Sequence, residues 1–317
     1  MVKVIAEFCQ NHNGKWDILK EMIWKAAEAG ADYAKVQSML ADEIAFRERF
    51  EQGIIKDGKV EVIKRPYHLE YDRLKPMDLT DELFQKFVDE CNSAGIEPQT
   101  TVFTRQRIPF LATLRMNSVK VASYDCGSYP LIRELKEKFN YLYVSTGATF
   151  DEEIEKTAQI LKNHEFSFLH CVTIYPTPLE FLNLNRMNFL RRFTSNVGFS
   201  DHSLTARDGI NASIIALAFG ADVIERHFTV LKPEESRDGP VSINPQQLKE
   251  LVNFSNQKPE EIKDYVKKNF PNWEIVLGKE KRELTHEELL NRDYYRGRFV
   301  SKINGKIIYN WEDKKVF

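Results

Sequence analysis

The sequence reads as a (β/α)8 barrel of the α/β class with a short C-terminal β-hairpin extension, and three observations predict it. Eight short apolar runs alternate with helix-period stretches inside about 250 residues, the count and span of such a barrel. Each run ends at or near a hydroxyl, carboxylate, lysine or histidine, which is where barrel enzymes keep their reactive groups. No G-x-G-x-x-G follows the first run, so the competing fold, an open doubly wound sheet, lacks its usual mark.

In chain order, residues 3–8 (KVIAEF) form the first strand and Asn11-His12-Asn13-Gly14 a turn. Ile18, Met22, Ile23, Ala26 and Ala27 fall at helical spacing over 17–29, with Gly30 as C-cap. Residues 32–36 are the second strand. A helix over 80–91 opens on a T-D-E cap, and the third strand ends Thr100-Thr101-Val102-Phe103. Residues 105–115 are helical, 118–122 the fourth strand, 131–138 a helix and 141–145 the fifth strand. An acidic first turn opens a helix over 151–162, and 166–171 is the sixth strand. Residues 196–199 and 221–225 are strands seven and eight, separated by an amphipathic stretch at 206–219 closed by Gly220. A helix over 245–254 ends the barrel, which belongs to a domain spanning 1–278.

Two segments depart from this rhythm. Residues 39–77 separate the second strand from its return helix. They are rich in charge and aromatics (Phe46, Phe50, Tyr67, Tyr71) with little period. A loop of that length reads as an inserted lid or subunit contact at the catalytic face, or as a solvated excursion. Residues 279–317 form a charged tail in which Asn304-Gly305 joins two short apolar runs, a hairpin signal. The piece is too small to stand alone, so it should pack on the barrel or on a neighbouring subunit.

Composition narrows the function classes. The 317 residues are 42% hydrophobic and 29% charged, with a net charge of −2 and no long basic block, which argues against nucleic acid as a partner. No apolar run approaches membrane-spanning length, and Met1-Val2-Lys3-Val4-Ile5 leads straight into a strand rather than a signal peptide. Four scattered cysteines without CxxC pairs suit reduced thiols in the cytoplasm.

The strand ends collect Glu7, Lys35, Gln37, Thr101, Lys120, Ser123, Ser145, Thr146, Thr173, Tyr175, Ser200, His202, Glu225 and His227. Two lysines and several hydroxyls at one barrel mouth suit an anion such as a phosphate or carboxylate. His202 and His227, each just past a strand, suit a divalent metal with open positions for water and substrate. Each residue alone has an ordinary explanation: a rim lysine, a hydrogen-bonded histidine, a helix-capping Ser or Thr. Their coincidence across all eight strands favours a site.

These residues also carry a resemblance. Ile5-Ala6-Glu7 with Asn11-His12-Asn13-Gly14, Ala27-Glu28-Ala29-Gly30-Ala31-Asp32 with Lys35-Val36-Gln37, and Lys120-Val121-Ala122-Ser123 resemble motifs of the sialic acid synthase family. So do Ser145-Thr146-Gly147, His170-Cys171 with Tyr175-Pro176-Thr177-Pro178, Gly198-Phe199-Ser200-Asp201-His202 and Ile224-Glu225-Arg226-His227-Phe228-Thr229, all in order. The likeness spans residues 3–255. It implies a metal-dependent transferase condensing phosphoenolpyruvate with an open-chain, N-acetylmannosamine-like sugar to give a nonulosonic acid and phosphate. It implies His202 and His227 as ligands of Mn2+, with Mg2+ or Co2+ as alternatives. Lys35, Thr101, Lys120, Ser123, Ser145, Thr173 and Ser200 would hold phosphoenolpyruvate; Gln37, Tyr175 and Asp238 would face the sugar. Glu7, Glu225 and Lys35 would carry the proton and charge chemistry. A homodimer is implied too, and the tail resembles a remnant of the family's antifreeze-like domain.

Departures from the family pattern leave the acceptor open. Thr173 stands where the family has asparagine, and Ser236-Arg237-Asp238-Gly239-Pro240 replaces a G-P-D-H stretch. A different or phosphorylated acceptor, with Arg65, Arg73 and Arg105 supplying a basic pocket, is the second enzymatic reading; a degenerate sugar-binding barrel is the third. Cys9 stands two residues after Glu7, where the related metal-dependent octulosonate-phosphate synthases, with their I-A-G-P-C opening, place a metal-binding cysteine. That likeness makes Cys9 either a further soft ligand or a buried, unreactive thiol.

Overall fold

A computed structural model describes residues 2–317 of the chain. Its strands are β1 (Lys3–Glu7), β2 (Tyr33–Ser38), β3 (Ile54–Lys56), β4 (Lys59–Val62), β5 (Glu97–Val102), β6 (Ser118–Val121), β7 (Tyr141–Ser145), β8 (Glu165–His170), β9 (Val197–Asp201), β10 (Val223–His227), β11 (Ser301–Ile303) and β12 (Lys306–Ile308). Eight of them, all but the hairpins β3–β4 and β11–β12, close into a parallel barrel in chain order. The predicted barrel is therefore the observed one.

The two-residue period of the strands decides which side chains meet in the middle. Val4 and Ala6 of β1, Ala34 and Val36 of β2, Val119 and Val121 of β6, and Phe166 and Phe168 of β8 point outward into the main hydrophobic core beneath the helices. The residues between them point inward. Ile5, Tyr143, Leu169 and Val223 fill the lower barrel with Tyr33 and Tyr141 packed against them. One step higher the inward layer turns polar. Register sets Glu7 beside Lys35 on one side and His227 on the other, Glu225 beside Ser200, and Thr101 beside Lys120. The outward neighbours Asp201 and Arg226, also in register, form a fully buried ion pair at 2.5 Å.

Three local expectations need correction. His227 is the last residue of β10 rather than a residue beyond it; only His202 lies past its strand. The 206–219 stretch is two helices, Thr205–Asp208 and Asn211–Ala218, broken around Gly209, and the second is buried on all sides. Its lack of a polar face follows from the helices Pro245–Ser255 and Pro259–Asn269 that pack over it. The second of those was not anticipated, although Pro259 with Glu260 and Glu261 in the first turn is a helix-start signal. Over 105–115 the regular helix is only Ile108–Thr113, after one 3₁₀ turn.

The irregular insertion and the tail turn out to be ordered against each other. The insertion contains the β3–β4 hairpin and the helix Tyr67–Leu74; the tail contains the helix His286–Tyr295 and the β11–β12 hairpin. The amides of Ala45 and Val300 donate to the carbonyls of Arg298 and Glu43 at 2.9 Å each, forming a strand-like bridge around Ile44 and Phe299. Phe50, Val62 and Tyr294 make a small apolar cluster, and Arg47 donates to the Tyr294 carbonyl at 2.6 Å. A second cluster joins Met39, Ala41, Ile44 and Leu74 to Phe299. Together the two segments lie over the barrel mouth.

Candidate active site

The mouth encloses a cavity of about 380 Å³ whose wall includes every strand-end residue assigned a role from the sequence: Glu7, Lys35, Gln37, Thr101, Lys120, Ser123, Ser145, Thr173, Tyr175, Ser200, His202, Glu225, His227 and Asp238. Strand period and register bring them there from all eight barrel strands or the loops that follow. Thr146, also in the initial set, is buried with its hydroxyl turned to the Leu169 carbonyl at 3.2 Å.

At the cavity floor four buried charges form a chain. Lys35 contacts Glu7 and lies 3.5 Å from Glu225, which in turn contacts Lys120. Ser200 donates to Glu225 at 2.6 Å and Lys35 to Thr101 at 3.0 Å. Isolated ions at this depth would be prohibitively costly, so they persist as neutralised pairs. Burial pushes the Lys35 ammonium down to about 7, against the pull of Glu225; the touching Glu7 carboxylate pulls in the same direction as Glu225. Burial alone would raise the Glu225 carboxyl, but the charges of Lys120 and Lys35 and the bonds from Lys120 and Ser200 hold it well below the usual range. The result is an alternating row of two acidic side chains and two lysines along the cavity floor.

Beside this floor is a hydroxyl wall. Ser145 Oγ and Thr173 Oγ1 are buried and have no hydrogen-bond partner among the described residues. Such orphaned groups are costly unless something else satisfies them. Gly147 keeps the wall closed: a Cβ there would stand 2.6 Å from Cys171 Sγ and 2.7 Å from Thr173 Cγ2. Its amide donates to Ser123 Oγ at 3.2 Å.

The two histidines stand on the far side, ring centroids 5.3 Å apart. Burial lowers His202 to about 4 and, together with the neighbouring His202, pushes His227 well below the ordinary range, so both rings are neutral and able to ligate a cation. His202 Nδ1 lies 3.2 Å from the Val172 carbonyl, while His227 Nδ1 is buried without a partner among the described residues. Tyr175, half exposed at the mouth, covers His202 with a centroid separation of 4.1 Å. The opening motif serves this edge: Asn11 donates to the Phe228 carbonyl and to Ser242 at 2.9 Å and accepts from Ser236 at 2.8 Å, pinning the loop that carries Asp238. Gly14 is obligatory in that turn, since a Cβ would fall 1.9 Å from the Pro76 carbonyl oxygen.

Residues 22–267 match the sequence model of the NeuB family. The chain belongs to that family. Relatives of this NeuB chain include a pseudaminic acid synthase of Campylobacter jejuni, 31% identical over 95% of this chain and 82% of that protein. An N,N'-diacetyllegionaminic acid synthase of Legionella pneumophila is 30% identical over 94% of this chain and 83% of its own. Among solved structures, a sialic acid synthetase of Leptospira borgpetersenii in complex with citrate superposes with a TM-score of 0.70 at 26% identity, covering 92% of this chain and 90% of the other. The NeuB chain is accordingly an enzyme of the nonulosonic acid synthase kind.

Several cavity residues were not foreseen. Gln10, Tyr124, Asp125 and Arg237 line it, and the tail adds Glu287, Asn291, Tyr295, Arg298 and Phe299. Asn291 donates to the Thr173 carbonyl at 2.8 Å, and Tyr295 stacks on Tyr124 at 4.9 Å. Of the three arginines grouped as a basic pocket, Arg65 and Arg73 reach the cavity. Arg105 does not: Glu134 and the carbonyls of Glu312 (2.8 Å) and Lys314 (2.6 Å) hold its guanidinium elsewhere.

Proposed function

We propose that the chain condenses phosphoenolpyruvate with the open-chain aldehyde of an N-acetylmannosamine-like amino sugar, giving a nonulosonic acid and inorganic phosphate. The observation that carries this is the juxtaposition, in one cavity, of the Glu7–Lys35–Glu225–Lys120 chain, the orphaned Ser145 and Thr173 hydroxyls and two neutral histidines.

Phosphoenolpyruvate is a trianion at most, and the floor offers it two lysines and a hydroxyl wall. Lys35, Lys120, Thr101, Ser123, Ser145, Thr173 and Ser200 orient it and offset its charge. C3 of phosphoenolpyruvate forms the new bond to the aldehyde carbon, water adds at C2, and phosphate departs with its bridging oxygen. In this reading Glu7 and Glu225 take the proton from that water and give one to the new alkoxide. His202 and His227 fit a divalent cation, being neutral, buried and partly unpartnered. When bound, such a cation supplies Lewis-acid polarisation of the aldehyde. Gln37, Tyr175 and Asp238 face the acceptor. Purified protein given phosphoenolpyruvate and a panel of mannosamine-type acceptors, with and without divalent ions, should release phosphate only when an acceptor is present. Acceptor-independent release, with free pyruvate as its product, would sink the reading.

The rim favours one variant of it. Arg65, Arg73, Arg237 and Arg298 all reach the cavity, and three of them approach the single carboxylate of Glu70. That surplus of positive charge suits an acceptor that is itself phosphorylated. The same panel with phosphorylated acceptors distinguishes the two: a lower KM for the phosphorylated member selects this variant. A second copy of the chain is the expected partner, because Phe46, Ile55 and Leu69 of the insertion are more than half exposed. Ile55→Asp with Leu69→Asp should shift a dimer to monomer in light scattering; an unchanged mass would place the contact elsewhere.

A further inference from the structure

Cys9 lies on the turn that leaves β1, and its backbone is held at φ 46, a left-handed conformation unusual for any residue with a Cβ. Its amide donates to Glu7 Oε1 at 2.7 Å, which ties the turn to the cavity floor. The side chain is buried and lines the cavity. Cys9 Sγ, a ring nitrogen of His227 and a carboxylate oxygen of Asp238 all lie within 4.8 Å of one another. Three separate pieces of chain produce this convergence. Register sets Glu7 against His227, so the residue two beyond Glu7 rises next to that ring. Asp238 arrives on the loop after β10, which Asn11 and Ser242 pin from below.

The three ligand atoms form one cluster, and His227 brings an independent sign of a missing partner, a buried Nδ1 with no hydrogen bond among the described residues. His202 is outside the close group but adjacent, with its ring centroid 5.3 Å from that of His227. One thiol, two imidazoles and one carboxylate would make a four-ligand shell of mixed softness. Hard cations such as Mn2+ and Mg2+ prefer oxygen donors, whereas a thiolate selects borderline and soft ions.

We propose that Cys9 and Asp238 join His227 and His202 as protein ligands of a single divalent ion, so that this chain takes Zn2+, Fe2+ or Co2+ in preference to Mn2+. The proposal rests on the reading of the histidine end of the cavity as a metal centre, and it adds to it the ligand that sets the choice of ion. Binding requires loss of the thiol proton, which passes to solvent as the sulfur–metal bond forms.

The test is on metal binding without substrates, so its outcome is separable from the condensation reading. Full-length protein is stripped with chelator and titrated with Co2+. A thiolate-to-metal charge-transfer band in the near ultraviolet is expected in the wild type and should vanish in Cys9→Ser. In competition dialysis, Zn2+ should displace Mn2+ from the wild type, and Cys9→Ser should lose at least ~10-fold in Zn2+ affinity, the low end for removing even an outer-shell partner, with Mn2+ affinity little changed. Cys9→Gly removes the same ligand while suiting the left-handed turn, so it separates loss of metal from loss of fold. Co2+ bound without the charge-transfer band, or unaltered Zn2+ affinity in both variants, overturns the proposal. A wild type that binds none of these ions overturns the metal centre itself, whereas acceptor-dependent phosphate release is measured separately and would still stand.

Discussion

The floor and the roof of the cavity are built in opposite ways. The floor is made of strand ends, where period and register leave each side chain one place to go. Lys35, Lys120, Glu7 and Glu225 are all buried and all paired with one another. The roof is made of the insertion and the tail, joined by contacts between residues more than 200 positions apart, such as Arg47 to Tyr294 and Glu70 to Arg298. Glu70 and Arg298 are buried there, but Arg73 and Arg237 are partly solvated, and its apolar clusters are small. From that difference we infer that the chemistry and the choice of substrate are carried by separable parts of the molecule. Floor residues should affect turnover with any acceptor, and roof residues should affect which acceptor is taken.

The largest effect should come from Glu225→Gln. This change keeps the shape but leaves Lys35 and Lys120 without their shared carboxylate, and it removes a candidate proton carrier next to the reacting carbon. A roughly 10²–10⁴-fold fall in kcat/KM is expected for every acceptor tested, the scale of a lost acid–base group. Steady-state phosphate release checks it, with circular dichroism confirming the fold. A loss confined to one acceptor would erase the distinction between floor and roof.

A smaller and more selective effect is expected from Glu70→Gln. Glu70 is buried, accepts from Arg298 at 2.5 Å and from Arg73 at 3.0 Å, and lies 3.9 Å from Arg237. Burial would raise its carboxyl, but Arg73 and Arg298 hold it below the usual range. It thus clamps insertion, tail and the loop after β10 to one another. Losing charge-assisted bonds of this kind costs roughly 2 kcal/mol. The KM for the acceptor should rise about 30-fold, with kcat and the KM for phosphoenolpyruvate nearly unchanged, and amide exchange should quicken in the helix His286–Tyr295. Equal losses in both KM values would mean that the roof also shapes the anion site.

The same division decides what could be read from sequence. Strand-end residues were legible because a local rule places them: an apolar run of four to six residues, then a polar side chain at its carboxyl end. Asp238 entered by likeness alone, since nothing in its own segment signals a site. Arg298, Asn291 and Tyr295 were missed because their segment reads only as charged, and its meaning arises from the distant stretch around Ile44 and Phe50. Arg105 shows the converse error. It was grouped with Arg65 and Arg73 by charge, yet Glu134 and two tail carbonyls claim it. The break at Gly209 and the apolar helix Asn211–Ala218 were misread for a related reason: a helix covered by a second layer has no polar face to reveal its period.

The smallest effect tests the period itself, on the strand where in and out are closest together. His170 is the last residue of β8, flanked by Leu169 and Cys171, which face the barrel interior. It should face away from the cavity, and its Nε2 meets the Leu182 carbonyl at 2.6 Å under the loop that follows β8. Burial, with Arg282 nearby, lowers it from 6.5 to about 3, so it is neutral in the fold. Unfolded chains therefore bind a proton here that the folded chain refuses between pH 6.5 and 3, and the sign is loss of stability as pH falls through that window. One such group contributes at most about 1.4 kcal/mol per pH unit. His12, lowered by burial to about 4, adds to the slope in the same direction. Urea unfolding at pH 7, 6 and 5 should show a shallower acid loss in His170→Gln than in the wild type, while the KM values of the two proteins follow the same pH profile. If His170→Gln instead moved the KM for phosphoenolpyruvate, the ring would be reaching the cavity, and the alternation that places Cys171 and every other floor residue would have failed on β8.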